Sequence, residues 1–402
     1  MMGPMLTSLT LDHIRCFEHV ELKFSPQTPA GGSWTILVGP NGVGKTTLLQ
    51  AIVLGSTNPL ALSALVEAPW TLVRSTSTQP GRIRLQYRLN GASVRTEREI
   101  PSTEGTYIVQ QLDEPRIRPF VMAFAARRRI SRLGEKAPVS NPDVERVRGM
   151  FDADQPLLRQ DAFEAFKSDS DRRRFATVIR DVLLARLGET VSMFPLLNSV
   201  ELRGQKGVTQ LLQLLKQRRF TLRYGQGYDV RVALEDMSDG YQAMFAIVVE
   251  ILTQAAVSSK VVPEPRQLDA VILIDEIEAH LHPTWQRNVI PLLRATFPRC
   301  QFIVSTHSPL VVASAEPGEV HVLEVTADGY VTQDVLEERL AMLGADRILE
   351  EVFGVFRSAP AGLVEQERAY LAQIAAEGRP DPLISAVIEQ AWRDAQGESK
   401  EP

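Results

Sequence analysis

Thr35-Ile36-Leu37-Val38-Gly39-Pro40-Asn41-Gly42-Val43-Gly44-Lys45-Thr46-Thr47-Leu48-Leu49 decides the reading of this chain. Its first four residues are a short β-rich run, and Leu48-Leu49-Gln50-Ala51-Ile52 continues as helix. Between them stands the full spacing G-x-x-x-x-G-K-[ST], in the strand–turn–helix context that this spacing requires. The glycines let the backbone turn tightly and aim its amides inward. The helix N-terminus adds positive dipole where a phosphate would sit. Lys45 is expected to reach the β- and γ-phosphates of a nucleoside triphosphate, and Thr46 to ligate Mg2+ through its hydroxyl. Asn41, Gly42, Gly44 and Thr47 complete the expected cradle.

Composition sets the frame around this motif. The chain has 402 residues, 44% hydrophobic and 23% charged, which is globular composition and enough length for two to three domains or one large domain with insertions. The net charge of -5 argues against a wholly basic nucleic-acid coat, although it leaves room for a local basic face. Cys16 and Cys300 lie far apart, so a disulfide-built scaffold is excluded and a reducing compartment is expected. No run reaches 18 apolar residues, and the first residues carry no charged-then-apolar leader pattern. The expectation is a cytoplasmic protein.

A second group of chemical residues lies far along the chain. Ala270-Val271-Ile272-Leu273-Ile274 is the continuous apolar run of a strand covered on both faces, and it ends in Asp275-Glu276. Carboxylates at the C-terminal end of such a strand face the ligand in an open α/β sheet. Asp275 is expected to hold the magnesium shell and Glu276 to polarise the attacking water. Gln301-Phe302-Ile303-Val304-Ser305 forms another strand and runs into Thr306-His307-Ser308-Pro309, so His307 falls at the same edge, in reach of the γ-phosphate or the water. Met237-Ser238-Asp239-Gly240-Tyr241-Gln242 precedes an apolar helix from Ala243 to Leu252. Ser238 is a good helix cap there, and a serine hydroxyl, the Gly240 amide and the helix dipole make an anion site.

In chain order these segments resemble the ABC-type ATPase head of the RecF/SMC/OLD group, and within it the soluble stand-alone ATPases of prokaryotic defence systems of the Septu and retron kind. Leu6 to Phe17 is similar to the opening strand and Arg-Cys-Phe turn of those heads. Asp275 to Pro283 resembles a Walker B motif running into a D-loop, and 305–309 resembles the switch-histidine segment. The implied fold is α/β: a P-loop NTPase, an ABC-ATPase head with a small antiparallel β-subdomain, a helical lobe and a C-terminal helical tail. The resemblance implies that Ser238 and Gly240 of one copy dock onto the γ-phosphate held by Lys45 of another. It therefore implies a head-to-tail homodimer or higher oligomer with ATP and Mg2+ between heads. Asp239 stands where transporter forms have glycine, and Tyr241 occupies a usually polar slot; Asp239 is expected to face out or cap the helix. His280 and His282 fall in the D-loop stretch rather than in a transition-metal site, and Trp285 is expected to pack.

The remaining sequence suggests the organisation. Residues 1–325 are expected to form the head, with a helical lobe inserted at about 140–235, and 326–402 a helical segment. Leu6 to Leu11 and Val20 to Phe24 read as strands; Arg82 to Leu89 and Ser93 to Ile100 read as a hairpin around Asn90-Gly91. Gln110 and Gln111 are the candidates for a glutamine that senses the γ-phosphate. Phe120 to Phe124 is a further strand; the resemblance implies that Arg127 or Arg128 after it contacts phosphate or DNA, with solvated arginines as the alternative. Residues 134–157 read as linker, Asp171 to Leu187 and Val208 to Arg219 as helix, Val257 to Gln267 as an exposed loop. No heptads run long enough for coiled-coil arms. Helices are expected at Asp346 to Gly354, 361–377 and 380–394.

Three uses of such an ATPase stay open. The first is a nucleic-acid-linked switch in genome maintenance or antiphage defence, with arginine clusters at 127–129, 172–174 and 218–219 against phosphate backbone. The chain has no H-N-H nuclease pattern, so cutting would fall to a separate nuclease or effector protein. The second is a nucleotide-gated scaffold or regulator of a partner nuclease. The third, a transporter motor, predicts a membrane partner, a clear glutamine loop and a glycine-rich signature; the last two are missing here.

Overall fold

The computed structural model describes residues 5–353, apart from 27–31, 59–61, 63, 90, 104–109, 114–117, 132–140, 153, 159–165, 188–190, 193, 202–216, 218, 225–227, 327–330, 339 and 341–344. The chain divides into two compact units, 1–342 and 343–402. In the first unit, β1 (Met5–Ile14) and β2 (Phe17–Lys23) precede β3 (Ser33–Val38), whose six residues are all buried. Helix α1 (Lys45–Ser56) follows, then β4 (Gly81–Leu89), β5 (Ala92–Ile100), β6 (Gln110–Asp113) and β7 (Val121–Phe124). Next come α2 (Pro142–Arg148), α3 (Asp169–Leu183), the short pair β8 (Arg186–Leu187) and β9 (Val191–Ser192), then β10 (Leu197–Val200), β11 (Phe220–Tyr224) and β12 (Tyr228–Val232). Helix α4 (Asp239–Ser259) leads to β13 (Val271–Ile274), and α5 (Pro283–Gln286) and α6 (Val289–Thr296) to β14 (Gln301–Ser305). The unit ends with α7 (Pro309–Val312), β15 (Val320–Val325) and β16 (Val331–Leu336).

Two sheets enclose α1. The central sheet has the order β16-β15-β3-β14-β13-β7, parallel except for the antiparallel edge strand β16. The second sheet, β2-β1-β4-β5-β6, is antiparallel throughout. One core cluster runs through both, from Leu9, Leu11, Ile83 and Leu85 across Leu48, Leu49 and Ile52 to Leu273 and Ile303. A helix between two sheets has little solvated face, so beyond its first turn α1 is mostly apolar, with Gln50 the partly buried polar exception. The sheets are also stitched directly. The buried Gln301 side chain accepts from Leu6 N (2.8 Å) and donates to Leu6 O (3.0 Å), closing both groups of one backbone residue.

The expected hairpin is present as β4 and β5, registered from Gly81↔Ile100 to Leu89↔Ala92. The expected strands before the phosphate loop, before Asp275 and before Thr306 are β3, β13 and β14. Helix α4 has the length and composition of a membrane span, the one such helix among the described residues; 78% of that stretch is buried inside the fold, as in a core helix. It also runs to Ser259, three residues into the segment read as an exposed loop, whose Val262, Pro263 and Pro265 are buried.

Elsewhere the structure differs from the sequence reading. The inserted segment is not wholly helical: α3 is followed by the antiparallel sheet β10-β11-β12. Part of the expected linker is helix α2, started by Asn141, whose Oδ1 accepts from Asp143 N (2.9 Å), and by Pro142 at its first position. The chain does not turn helical after Tyr330, because β16 closes a hairpin on β15 from Val320↔Leu336 to Val325↔Val331. The head therefore continues past residue 325. Helix α8 (Ala345–Glu351), in the second unit, overlaps the expected 346–354 segment and starts one residue before it. The expected helices at 361–377 and 380–394, and 208–216 of the other, lie outside the described residues.

A buried polar network ties β15 and β16 to the segment after β2. His321, 1% exposed, has Nε2 3.1 Å from Ser25 Oγ and Nδ1 2.8 Å from Gln333 Nε2. Ser25 Oγ donates to Gly318 O (2.7 Å) and so must accept from His321, which fixes a neutral ring with its proton on Nε2. Burial lowers the His321 pKa to about 4. The unfolded chain therefore binds the extra proton more readily than the folded one between the ordinary histidine pKa and about 4. The contribution is fully present above about pH 6.5 and is lost as the pH falls toward 4, on the order of 3 kcal/mol in all. Denaturant midpoints measured from pH 7 to pH 4 should fall more steeply for the natural chain than for His321→Gln. Parallel curves would show that this histidine does not drive the acid loss.

Candidate functional site

The parallel strands carry the expected residues to one edge of the central sheet. Register aligns Ile274 with Val304 and Phe124, and Ser305 with Leu37, so the segments after β3, β7, β13 and β14 emerge side by side. This is the crevice beyond the carboxyl ends of the strands where open α/β sheets take their ligands.

The loop from Gly39 to Gly44 cannot be built from other residues without change. Gly39, Gly42 and Gly44 all have positive φ (145°, 80° and 108°). A Cβ on Gly39 would lie 2.4 Å from Leu323 O, and one on Gly44 would lie 2.5 Å from Phe17 and 2.6 Å from Cys16 Sγ. Phe17 and Cys16 thus form the wall behind the start of α1, which gives the Arg-Cys-Phe turn a packing role. Lys45 Nζ donates to Gly39 O (2.8 Å) and Pro40 O (3.0 Å), so the cation lies across the loop. Burial lowers its pKa, opposed by the nearby carboxylates Asp275, Glu276 and Glu278. Asn41, Gly42 and Thr46 are exposed, while Thr47 is buried.

Thr46 and Asp275 meet. Thr46 Oγ1 donates to Asp275 Oδ2 (2.7 Å), and Ser305 Oγ donates to Asp275 Oδ1 (2.5 Å). A hydroxyl and a carboxylate held together at the first turn of α1 are the hard oxygen donors that Mg2+ prefers, so the residues present fit that ion. Glu276 projects into solvent at the same edge. Its φ of 46° is unusual for a side chain other than glycine, and its N donates to Ser305 Oγ (2.8 Å). Glu278 accepts from Thr306 Oγ1 (2.7 Å) and from His307 N (2.5 Å), tying the turn after β14 to the turn after β13. His307 is half-buried at that junction. Ser305 and Glu278 escaped the sequence reading. The signals for them are a serine closing the strand before His307 and a second acid two residues beyond Glu276.

Ser238 and Gly240 lie apart from this cluster. Ser238 is the residue before α4, exposed, and its side chain makes no capping bond. Among the described residues, no hydrogen bond joins Ser238 or Gly240 to the Lys45 loop of the same chain. Gly240 is pressed instead against the D-loop stretch: a Cβ there would sit 2.6 Å from His280 O. Tyr241 stacks edge-on against Trp285 at 4.4 Å, and its hydroxyl accepts from Leu196 N (3.0 Å). The unusual tyrosine therefore binds the start of α4 to α5 and to the residue before β10. Burial raises its pKa. Asp239 is exposed, as expected, and Trp285 packs, as expected. His282 caps α5 by accepting from Thr284 N (3.4 Å), and no cluster of metal-ligating side chains occurs among the described residues.

The arginines after β7 do not face the phosphate side together. Arg127 is exposed and paired with Asp154 (3.1 Å). Arg128 is buried, and its guanidinium donates to the backbone carbonyls of Asp275 (2.8 Å), Glu276 (2.7 Å) and Ala279 (3.3 Å). That corrects the expectation of a phosphate or DNA contact for Arg128: its two Nη groups are taken up by main-chain oxygens, and its buried Nε has no partner among the described residues. Burial lowers its pKa to about 10, against the raising influence of Glu278, Asp275 and Glu276, so it stays charged at neutral pH. Arg172 pairs with Asp169 (3.2 Å), while Arg173 and Arg174 are exposed. Arg218 and the side chains of Gln110 and Gln111 lie outside the described residues.

Comparison with known proteins adds to this geometry. The chain is 24% identical over 341 residues to the Septu protein PtuA of Bacillus mycoides (strain KBAB4), covering 83% of this chain and 43% of that protein. It is 34% identical over 92 residues to the "Retron Vc95 probable ATPase" of Vibrio cholerae serotype O1 biovar El Tor, covering 23% and 18% of the two chains. The chain thus spans less than half the length of these curated relatives. Among solved structures it is similar to the SMC head domain from Thermotoga maritima, at 16% identity and a TM-score of 0.45, covering 83% of this chain and 99% of that one. The profile of the family described as "AAA domain, putative AbiEii toxin, Type IV TA system" matches residues 35–313, from the strand before the Lys45 loop to past the His307 turn, and the chain belongs to that family, AAA_21.

Proposed function

We propose that the chain binds ATP on the Lys45 loop and hydrolyses it in a head-to-tail pair, as the switch of a prokaryotic antiphage-defence or DNA-repair complex. One arrangement carries this reading. Thr46, Asp275 and Glu276 converge at a single sheet edge, while Ser238 presents an unbonded hydroxyl elsewhere on the surface. The site has its phosphate cradle, its ion ligands and its base, and among the described residues Ser238 is not hydrogen-bonded to it. A second copy supplies donors to the γ-phosphate through Ser238 and the Gly240 amide.

Each residue then has a defined task. Lys45 and the loop amides neutralise and orient the β- and γ-phosphates. Thr46 and Asp275 hold Mg2+, which when bound neutralises charge on the phosphate oxygens. Glu276 orients a water and takes its proton as the water oxygen bonds to the γ-phosphorus and the bond to the β-phosphate oxygen breaks. His307, held through its amide by Glu278, lines the same side. ATP closes the pair and hydrolysis reopens it. Similarity to the Septu protein and the retron probable ATPase supports the defence setting, in which a separate nuclease or effector is the proposed partner. The head is taken as residues 1–325 extended through β16, with the tail as a docking segment.

Mixing two dead variants tests the shared site. Lys45→Ala and Ser238→Arg should each be inactive alone. Mixed, they should regain up to about a quarter of natural turnover, because half of the pairs are mixed and each mixed pair rebuilds one intact site. A mixture as dead as its parts would rule out the head-to-tail arrangement. Natural turnover by Ser238→Arg alone would remove Ser238 from the site.

A further inference from the structure

We propose that Arg128 is the positioning residue of the hydrolytic step: it sets the carboxylate of Glu276 by holding the main chain on both sides of it, without touching phosphate. The inference rests on the proposed ATPase function and adds to it a residue outside the phosphate-binding motifs.

The geometry is unusual for an arginine. Nη2 donates to two successive carbonyls, Asp275 O (2.8 Å) and Glu276 O (2.7 Å), and Nη1 reaches Ala279 O (3.3 Å). Among the described residues Arg128 forms no ion pair, although it is over nine-tenths buried. A buried charge normally needs a counter-charge or a full set of hydrogen bonds. Here three peptide dipoles serve instead, and all three belong to the turn that carries Glu276.

The turn needs this support. Glu276 has φ 46° and His280 has φ 66°, both in the left-handed region that side chains other than glycine enter only under constraint. Asp275 N is bonded to Phe124 O (2.8 Å) and Glu276 N to Ser305 Oγ (2.8 Å). Those bonds fix the amide groups of the two residues. Arg128 fixes their carbonyl groups. The peptide planes before and after Glu276 are therefore held at both ends, and the direction of its side chain is set. Ala279, bonded to the same guanidinium, couples that direction to the D-loop next to Gly240.

A lysine cannot substitute fully, because its compact ammonium lacks the planar fork that meets several oxygens at once. Among the described residues no hydrogen bond joins Arg128 to Lys45 or Thr46, and it holds the main chain of Asp275 rather than its carboxylate. The expected signature is a loss in turnover without a matching loss in affinity.

The test uses Arg128→Met and Arg128→Lys in the full chain, with Glu276→Gln as reference. Arg128→Met should lower single-turnover ATP hydrolysis by about 100-fold while the Kd for Mg-ATP changes less than about threefold. Arg128→Lys should recover a tenth of natural turnover or less. The double variant Arg128→Met with Glu276→Gln should be no slower than Glu276→Gln alone, since both act through one carboxylate. Arg128→Lys keeps the charge and serves if the methionine variant does not fold. Unchanged turnover in a folded Arg128→Met overturns the proposal. So does an affinity loss as large as the turnover loss, or a double variant slower by the full product of the two. Natural protein that never hydrolyses ATP would sink the ATPase reading itself and take this inference with it; natural turnover with an unaffected Arg128→Met sinks the inference alone.

Discussion

Glu276→Gln is expected to reduce ATP turnover by about 100- to 10,000-fold and leave ATP binding intact. The substitution keeps the size of the side chain and removes its ability to take a proton. Its surroundings do not depend on the carboxylate: the backbone N of Glu276 is held by Ser305 Oγ and its O by Arg128. The side chain is exposed and carries no structural bond among the described residues, so the fold loses nothing. Because binding persists and hydrolysis does not, the variant should accumulate as a closed pair in Mg-ATP. Phosphate release gives the rate, and light scattering after size-exclusion gives the mass. Natural turnover in this variant would remove Glu276 from the reaction; a monomer in saturating Mg-ATP would remove the pair.

Lys45→Ala is expected to weaken Mg-ATP binding by at least about 30-fold, which corresponds to 2 kcal/mol or more for the loss of one partner of a buried charged hydrogen bond. Lys45 now donates to Gly39 O and Pro40 O, in the loop that is expected to wrap the phosphates. Exchanging two carbonyl oxygens for two phosphate oxygens needs only a side-chain rotation. The loop is braced at its two ends, Gly39 against Leu323 and Gly44 against Cys16 and Phe17. The variant should therefore keep its melting temperature within a few degrees. Isothermal titration with Mg-ATP reads the affinity, and an unchanged Kd would contradict the assignment of the cradle.

Those parts of the fold that depend on contiguous residues were legible in the sequence. The loop, its strand and its helix lie within one short stretch, and the strands before Asp275 and Thr306 announce themselves as unbroken apolar runs bounded by polar turns. The hairpin of β4 and β5 shows its alternation and its Asn90-Gly91 turn. Less was legible where the partner is remote. The sheet β10-β11-β12 was missed because its strands are four or five residues long and only β11 and β12 are close in sequence. Arg128 illustrates the same limit in the candidate site. Beside Arg127 and Arg129 it reads as one of a basic run, and nothing local reveals that it alone is swallowed by the turn after β13. Asp275 and Glu276 could be named from position, but the seryl bridge between them through Ser305 is a tertiary fact.

The contact between Gly240 and His280 has a mechanical meaning. A side chain on Gly240 would overlap the carbonyl of His280, so the start of α4 and the D-loop meet with no clearance. A joint without play transmits displacement instead of absorbing it. Whatever tugs on the serine end of α4 must also move the strand turn that bears Glu276, and the reverse holds during recoil. Even the smallest methyl group at this position acts as a wedge, and the two halves of the machine would then lose their timing before they lost their shape.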